Sequence, residues 1–335
     1  MSGRLDLAFP EGAPGTVLLI GADARTDLSP FDPARTRIVQ RQAADHAALA
    51  GRGWTVSTQA DGPAADTAVV FLPRARDQAR AWLAEAAANL APGGHIWVDG
   101  QKIDGIDSLL KELRGLAQVD SIESKAHGKI FRLPGADWVP EAWAARDLSA
   151  APGFVTRAGV FSADGIDPGS ALLAAHLPDR MPTRVVDLGA GWGWLSAQIL
   201  ARPGVEVLHL VESDATALDC ARRNIADPRA RFHWADATQF TLPEPVNGVV
   251  MNPPFHAGAR APDARIGAGF IAAAARLLTG AGRLWMVANR HLPYEPVLAR
   301  HFAEVQEIGG DTRFKVIAAT GAGRVRPAQP PRKRR

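Results

Sequence analysis

A pattern of strands and helices that occurs twice along the 335-residue chain is the feature that most constrains its fold. Three segments of the first half match three segments of the second half, in the same order: TVLLIG (16–21) with RVVDLG (184–189), DTAVVFLP (66–73) with VNGVVMNPP (246–254), and LAEAAANLAPGGHIWV (83–98) with IAAAARLLTGAGRLWM (271–286). Trp97 and Trp285 fall at equivalent places in the last pair. Apolar strands that alternate with helices of this length indicate parallel sheets with crossover helices. We therefore predict an α/β protein that contains two tandem copies of one domain.

The boundary between the two copies is predicted within residues 135–156, where prolines and glycines interrupt every periodic pattern. We accordingly expect a first domain at residues 1–150, a second at 151–323, and a C-terminal tail at 324–335.

Basic charge is concentrated in that tail. The whole chain has a formal net charge of +3, but residues 1–150 carry −3, residues 151–323 are neutral, and residues 324–335 carry +6. The tail sequence RVRPAQPPRKRR is too polar and too rich in proline to bury a core, so we expect it to be disordered. Two interpretations stay open for it: a solvated end that aids solubility, or an arm that binds phosphate groups.

Composition excludes several classes of protein. The single cysteine, Cys220, rules out a disulfide framework and any metal site that needs several cysteines, and we expect no bound metal. Hydrophobic residues make up 47% and charged residues 22%, which is typical of a globular protein. The N-terminus lacks a basic region followed by an apolar one, and no apolar run is long enough to span a bilayer. We therefore expect a cytoplasmic protein that does not associate with membranes.

The second copy is predicted to form a seven-stranded, mostly parallel sheet. The expected strands lie near 184–189, 205–211, 230–234, 246–251, 282–288, 304–309 and 313–319, and the expected helices near 193–201, 215–226, 264–280 and 295–302. The last two strands leave no room for a helix between them, so they are predicted to form an antiparallel hairpin. Ligands of such sheets bind beyond the carboxyl ends of the strands, so the loops after the first four strands should face one crevice.

The first of these loops is rich in glycine. Asp187 ends a buried strand, and Gly189, Gly191 and Gly193 follow at alternate positions, which lets the backbone turn tightly and approach a ligand. The dinucleotide pattern G-x-G-x-x-G would need a glycine at position 194, where the chain has Trp194. The loop therefore disfavours a pyrophosphate and is compatible with a nucleoside.

Acidic residues end the next two strands. Glu212 follows VEVLHLV and is a candidate to accept hydrogen bonds from both hydroxyls of a ribose, a role expected for an NAD site and for an S-adenosyl site alike. Asp236, between Ala235 and Ala237, suits an acceptor for the amino group of adenine. Solvated acids at the ends of strands are the alternative for both residues.

The segment Asn252-Pro253-Pro254-Phe255, directly after the strand VVM, is the most specific feature of the chain. The prolines restrict their own φ angles and keep Asn252 extended, which holds the Asn252 amide oxygen and the Pro253 carbonyl rigidly over the crevice. Two such acceptors can bind the two hydrogens of an exocyclic amine and direct its nitrogen toward an electrophile. Phe255 offers a face on which a base can stack, an interaction worth roughly 1–3 kcal/mol.

Together, DLGAGWG (187–193), Glu212, Asp236 and NPPF (252–255) resemble the class I S-adenosylmethionine-dependent methyltransferases that act on nitrogen. Further segments narrow the resemblance to the bacterial guanine-N2 methyltransferases of small-subunit (16S) ribosomal RNA: GVFS (159–162), DPGS (167–170), ANRHLPY (288–294) and FKV (314–316). This family carries two tandem Rossmann-like class I methyltransferase domains. The match covers residues 151–320 by motif and residues 1–150 by architecture only.

The resemblance implies an active C-terminal domain and a degenerate N-terminal domain that serves as a scaffold or docks RNA. Aligning Gly21 with Gly189 places Leu19 opposite Asp187, and aligning the later strands places Leu72 opposite Asn252.

The implied partner is ribosomal RNA or the small ribosomal subunit, the implied cofactor is S-adenosylmethionine, and a monomer is expected. The predicted cofactor-binding residues are Phe161, Asp187, Gly189, Ala190, Gly191, Gly193, Glu212, Ser213, Asp236, Ala237 and Asn252. The predicted catalytic residues are Asn252, Pro253, Pro254 and Phe255.

Three other functions stay open at this point. The same chemistry could act on a guanine of large-subunit ribosomal RNA or on a glutamine amide in a protein, because the segment at 252–255 fits any planar amine. A nicotinamide-dependent oxidoreductase would share the fold, although Trp194 and the segment at 252–255 disfavour it. A non-catalytic RNA-binding module would not need Asp187, Glu212 and Asn252.

Overall fold

The structure, a computed structural model, describes residues 3–254 and 264–323. These residues divide into two compact units. The first contains the residues up to 149 together with Thr156–Ala163 and Asp214–Thr216, and the second contains Ala150–Val155, Asp164–Ser213 and the residues from 217 onward. Phe255 and the tail at 324–335 lie outside the described residues.

The first unit contains one mixed sheet with helices on its faces. Its strands are β1 (Val17–Ile20), β2 (Thr36–Val39), β3 (Thr55–Ser57), β4 (Ala65–Phe71), β5 (Leu90–Gln101), β6 (Asp120–Lys125) and β7 (Gly128–Pro134). Its helices are α1 (Arg4–Ala8), α2 (Ala43–Gly51), α3 (Arg76–Ala88) and α4 (Ile106–Leu113). A separate two-stranded sheet follows, formed by β8 (Leu148–Ala151) and β9 (Phe154–Thr156).

The second unit repeats the arrangement. Its strands are β10 (Arg184–Leu188), β11 (Val207–Glu212), β12 (Ala230–Trp234), β13 (Val246–Met251), β14 (Leu278–Asn289), β15 (Phe302–Gly310) and β16 (Phe314–Ala322). The helices along this part of the chain are α5 (Pro168–Ala175), α6 (Trp194–Leu200), α7 (Ala215–Asn224), α8 (Ala264–Leu277) and α9 (Glu295–His301).

The two sheets have the same topology. The first has the strand order β3-β2-β1-β4-β5-β7-β6, and the second has the order β12-β11-β10-β13-β14-β16-β15. In each sheet the last strand of the chain pairs antiparallel with both neighbours, and the other pairs are parallel. The predictions of two tandem α/β copies, of a seven-stranded, mostly parallel sheet and of a terminal hairpin are therefore confirmed.

Apolar side chains of the second sheet alternate between two cores. On β13, Val249 and Met251 contribute to the core that contains α8 and α9, whereas Val250 contributes to the core that contains α5 and α6. Trp285 on β14 faces the second of these cores. Because both faces are covered, the central strands must be apolar throughout, which is why VVM and RVVDL could be recognised as buried strands in the sequence.

One strand begins earlier than predicted. The sequence indicated a helix at 264–280 and a strand at 282–288, but α8 ends at Leu277 and β14 already begins at Leu278. The reason is a pairing between Val246 and Leu278, followed by an irregularity in the register before Gly248 pairs with Arg283. Among the described residues, no helix is both long and apolar enough to cross a membrane.

Candidate active site

Four neighbouring parallel strands, β12, β11, β10 and β13, bring their carboxyl ends to one edge of the second sheet. Leu188 of β10 pairs with Val211 of β11 and with Met251 of β13, so the segments after these strands start at the same level. The glycine turn, Asp236 and Asn252 follow β10, β12 and β13, and Glu212 is the last residue of β11. The fold therefore brings together most of the predicted site residues, as the sequence analysis expected from the direction of the strands.

The glycine turn after β10 leaves open space beside its backbone. Gly189, Gly191 and Gly193 have φ angles of +80°, +56° and +90°, a region that favours glycine. A Cβ atom at Gly191 would meet no atom within 4 Å, whereas a Cβ atom at Gly193 would lie 2.9 Å from Ile225. Gly193 thus permits close packing of α6, and Gly191 borders space that a ligand can fill. The buried Ala190 helps to hold the turn, since its N–H donates to the Val211 carbonyl at 3.1 Å.

Asp187 is fully buried beneath this turn. Its Oδ2 accepts a hydrogen bond from the Ser196 hydroxyl at 2.5 Å, and its Oδ1 has no partner in the part of the chain that the structure describes. Burial raises the pKa of the Asp187 carboxyl to about 7; the hydrogen bond from Ser196 opposes this rise, and the charge of Glu212 adds to it. A buried acceptor without a partner is costly, so Asp187 is suited to a ligand that supplies a donor.

Glu212 lies at the opening of the glycine turn. Its Oε2 accepts a hydrogen bond from the Gly191 N–H at 2.8 Å, and its Oε1 accepts one from the Ser213 hydroxyl at 3.4 Å. The Ser213 carbonyl in turn accepts from the Trp234 indole at 2.8 Å, which ties the end of β11 to the end of β12. These contacts hold the carboxylate next to the space that borders Gly191.

Asp236 shapes the loop after β12. Its Oδ1 accepts hydrogen bonds from the backbone N–H and the hydroxyl of Thr238, both at 2.8 Å, which leaves Oδ2 without a partner among the described residues. Ala237 is buried against the core that contains α8. The loop is therefore rigid and presents one carboxylate oxygen.

Asn252, directly after β13, has its side-chain amide fixed at one end only. Its Nδ2 donates to Asp167 Oδ2 at 2.8 Å and to Ser170 Oγ at 2.8 Å, whereas its buried Oδ1 has no partner among the described residues. Pro253 is buried and Pro254 is exposed. The Asn252 amide oxygen is therefore available as an acceptor, and its role toward a substrate amine stays a prediction.

Two of the predicted site residues, Phe161 and Phe255, stay predictions. Phe161 belongs to the first compact unit, where its side chain is 59% exposed. Phe255, the predicted stacking residue, lies outside the described residues. Across the residues that the structure describes, no group of three or more His, Cys, Asp and Glu side chains could hold a metal ion.

Comparison with known proteins adds to this geometry. The methyltransferase small domain model matches residues 152–318, and the model of the N-terminal domain of the same family matches residues 14–145. The ribosomal RNA small subunit methyltransferase C of Hahella chejuensis is 31% identical over 267 residues, which cover 76% of this chain and 77% of the relative. The enzyme of the same name from Pseudomonas paraeruginosa is 32% identical over 78% of this chain and 81% of the relative. The chain belongs to the small subunit methyltransferase C family.

A solved structure of this family agrees in fold over almost the whole chain. It is described as the 16S rRNA N2 G1207 methyltransferase (RsmC) of T. thermophilus in complex with AdoMet and guanosine. It superposes with a TM-score of 0.79 at 25% identity and covers 95% of this chain and 92% of its own.

The hydrogen-bond acceptors of the second unit fit AdoMet, that is, S-adenosylmethionine. The ammonium group, the ribose hydroxyls and the adenine amino group of this cofactor donate hydrogen bonds, and carboxylates accept them. Asp187 and Asp236 each offer an oxygen without a described partner, and Glu212 lies beside the open space at Gly191. The individual roles of these residues remain predictions.

The first sheet has other residues at the positions that correspond to Asp187 and Asn252. The pairing of its strands also corrects the predicted counterpart of Asn252. Ile20 pairs with Val70 on β4, as Leu188 pairs with Met251 on β13. Phe71, and not Leu72, is therefore the counterpart of Asn252; the sequence alignment was wrong by one residue because it matched the strand ends without the pairing. An amide is absent at either position.

The glycine turn of the first sheet is filled by the protein itself. Gly21 keeps a positive φ of +83°, but a Cβ atom there would lie 2.3 Å from the ring of Trp82 on α3. At Gly189 the nearest atom, from Phe270, would lie 3.3 Å away. The glycine turn of the first sheet therefore packs against the Trp82 indole, whereas the glycine turn of the second sheet has more free space at the equivalent position.

Two residues at this edge were named in the sequence only as part of the family resemblance. Asp167 caps α5 by accepting from the Ser170 N–H at 2.7 Å, with Pro168 at the first helical position. Asp, Pro and Ser in this order are a helix start signal, so α5 could have been predicted. The contact of this cap with Asn252, 85 residues away, has no local signal in the sequence.

Substituting Gly191→Ala should weaken cofactor binding by at least tenfold, because the methyl group enters the open space and strains a backbone with positive φ. The strain itself should lower the free energy of unfolding by about 1 kcal/mol. Binding of S-adenosylhomocysteine measured by calorimetry tests this. Gly53→Ala is the matched control, since Gly53 also has a positive φ (+86°) and open space. Equal affinities in the two variants would contradict a ligand at Gly191.

The stability of the ligand-free protein should fall as the pH rises from about 4 to 7. The Asp187 carboxyl has a pKa of about 7 in the folded protein and of about 3.9 in the unfolded chain. Between these values only the folded state keeps the proton, so this contribution to stability is highest below about pH 4 and is lost as the pH rises to about 7. Asp187→Asn mimics the protonated form and should remove this component. Urea unfolding at several pH values measures it. The same pH slope in both proteins would show that Asp187 does not titrate in this way.

Proposed function

We propose that this protein transfers the methyl group of S-adenosylmethionine to the exocyclic N2 amine of a guanine in 16S ribosomal RNA. The observation that carries the proposal is the Asn252 amide oxygen, a buried acceptor at the carboxyl end of β13 that has no partner within residues 3–254 and 264–323. Family membership and the likeness to a structure that holds AdoMet and guanosine support both the cofactor and the class of base.

The residues of the site are proposed to act by binding and orientation. S-adenosylmethionine supplies a methyl group that is already activated by the sulfonium. Asn252 Oδ1 accepts one hydrogen of the guanine amine, and the Pro253 carbonyl accepts the other, so that the nitrogen is directed at the methyl carbon. Holding the two reactants in line supplies most of the rate enhancement that such a reaction needs.

No strong general base is required, because the amine proton is released after the new N–C bond forms. The guanine has to leave its base pair or be unpaired already, at a cost of a few kcal/mol. Phe255 is proposed to stack on the extruded base.

The proposal divides the chain into three parts. Residues 151–323 form the catalytic domain, and residues 1–150 form a degenerate domain that acts as a scaffold or docks RNA. The basic residues 324–335 are proposed to contact phosphates of the RNA. We place the protein in the cytoplasm as a monomer that acts on the ribosomal RNA or on the assembled small subunit.

The substrate is tested by transfer of labelled methyl groups to purified small subunits, large subunits, naked 16S RNA and a translation factor. The expected label lies in 16S RNA and is recovered as N2-methylguanosine on nucleoside analysis. Label in large-subunit RNA would identify the alternative guanine substrate, and label in the translation factor would identify a glutamine amide. Either result, or no transfer at all, would contradict the proposal.

Replacing Asn252→Ala should lower the methylation rate by roughly 100- to 1000-fold, or about 3–4 kcal/mol in activation free energy, because the acceptor for the amine is lost. S-adenosylmethionine should still bind, because Asp187, Glu212 and Asp236 are unchanged. Single-turnover rates and calorimetry separate the two effects. Asn247→Ala is the control: Asn247 lies at the opposite end of β13 and its amide oxygen accepts from exposed Thr183 at 3.3 Å. A normal methylation rate in Asn252→Ala would rule out an orienting role for Asn252.

A further inference from the structure

We infer that Asp167 and Ser170 are positioning residues that determine which end of the Asn252 amide faces the substrate. The inference rests on the proposed function, since it concerns the acceptor offered to the amine. It adds a determinant of specificity. The Asn252 amide oxygen selects a hydrogen-bond donor of the substrate, such as the N2 amine of guanine, and repels a carbonyl oxygen at the same place.

A side-chain amide has two ends of similar shape and opposite chemistry. A rotation of 180° about its last torsion exchanges a carbonyl oxygen, which accepts, for an NH₂ group, which donates. An unrestrained asparagine at position 252 would therefore present a donor for part of the time. A donor facing the exocyclic amine of guanine would repel it.

The contacts of Asn252 remove this ambiguity. Nδ2 has two hydrogens, and each has an acceptor: Asp167 Oδ2 at 2.8 Å and Ser170 Oγ at 2.8 Å. The flipped amide would place its oxygen against the Asp167 carboxylate, which has no hydrogen to donate. It would exchange a charge-assisted hydrogen bond for a repulsive contact, so Oδ1 is held toward the side where it has no partner.

The two acceptors are themselves fixed by α5. The same Oδ2 of Asp167 that receives Asn252 also accepts from the Ser170 N–H at 2.7 Å, as the N-cap of the helix. The helix is anchored in the core through Leu173, which is fully buried. Restraint of a reacting group by residues that are locked in turn is what orientation within a fraction of an ångström requires.

An exchange of partners tests the inference in the full-length protein. Asn252→Asp alone places two carboxylates together and should reduce turnover by at least 100-fold. Adding Asp167→Asn should recover at least tenfold of that loss, because the amide introduced at 167 can donate to the carboxylate introduced at 252. In the native protein the same Oδ2 serves both contacts, so the introduced amide gives up the side-chain cap of α5 when it donates to position 252. The melting temperature of Asp167→Asn alone measures that separate loss. A residue that only stabilised the fold would not produce this recovery.

Ser170→Ala removes one contact and leaves the cap intact, because the cap uses the Ser170 backbone. It should lower kcat by about 5- to 20-fold, with little change in melting temperature or in KM for S-adenosylmethionine. Asp32→Ala removes the side-chain cap of a short helix in the first unit and should leave turnover unchanged.

A readout without turnover separates this inference from the proposed function. The side-chain amide signals of Asn252 in NMR, assigned by their loss in Asn252→Ala, should shift in Ser170→Ala in the absence of any substrate. Failure of the wild-type protein to methylate guanine would refute the proposed function alone. Normal methylation together with no recovery in the exchanged pair and unshifted amide signals would overturn the positioning role.

Discussion

Parallel pairing of β10 with β11 and β13 is the constraint on which the site depends. Parallel strands place all their carboxyl ends at one edge of the sheet, so residues that lie far apart in the sequence meet without any specific attraction between them. The backbone hydrogen bonds that fix the register also fix the height of each loop. Leu188, paired on both sides, is the reference level from which Gly189, Glu212 and Asn252 depart. A shift of β11 or β13 by one residue would move the side chains of that strand to the opposite face of the sheet.

The site is set up at some cost in stability. Asp187 Oδ1 and Asn252 Oδ1 are buried acceptors that no described residue satisfies, and each such group costs roughly 1–3 kcal/mol. The core around them is apolar and well covered, which lets the domain tolerate the cost. A ligand that donates to these oxygens recovers it on binding, so the same atoms that weaken the empty fold favour the loaded one.

The sequence was most informative where local pattern and fold agree. Buried strands such as VVM were predicted from short runs of apolar residues, and the turn from its alternate glycines. The terminal hairpin was predicted because the last two strands leave no room for a helix between them. It was less informative for pairings over long distances. The start of β14 at Leu278 depends on its partner Val246, and the counterpart of Asn252 is Phe71 because of a register that the sequence alone does not define. The contact of Asn252 with Asp167 was missed for the same reason, although the helix cap that provides it was present in the sequence.

The indole of Trp82 takes up the space beside Gly21, the counterpart of Gly189 in the second sheet. A side chain at Gly21 would collide with that ring, so this glycine serves the packing of α3 against the sheet. Building a cofactor site into the first unit would therefore take more than an amide on β4. Trp82 would also have to be replaced by a smaller residue, and the cavity left behind would destabilise the core of the first unit.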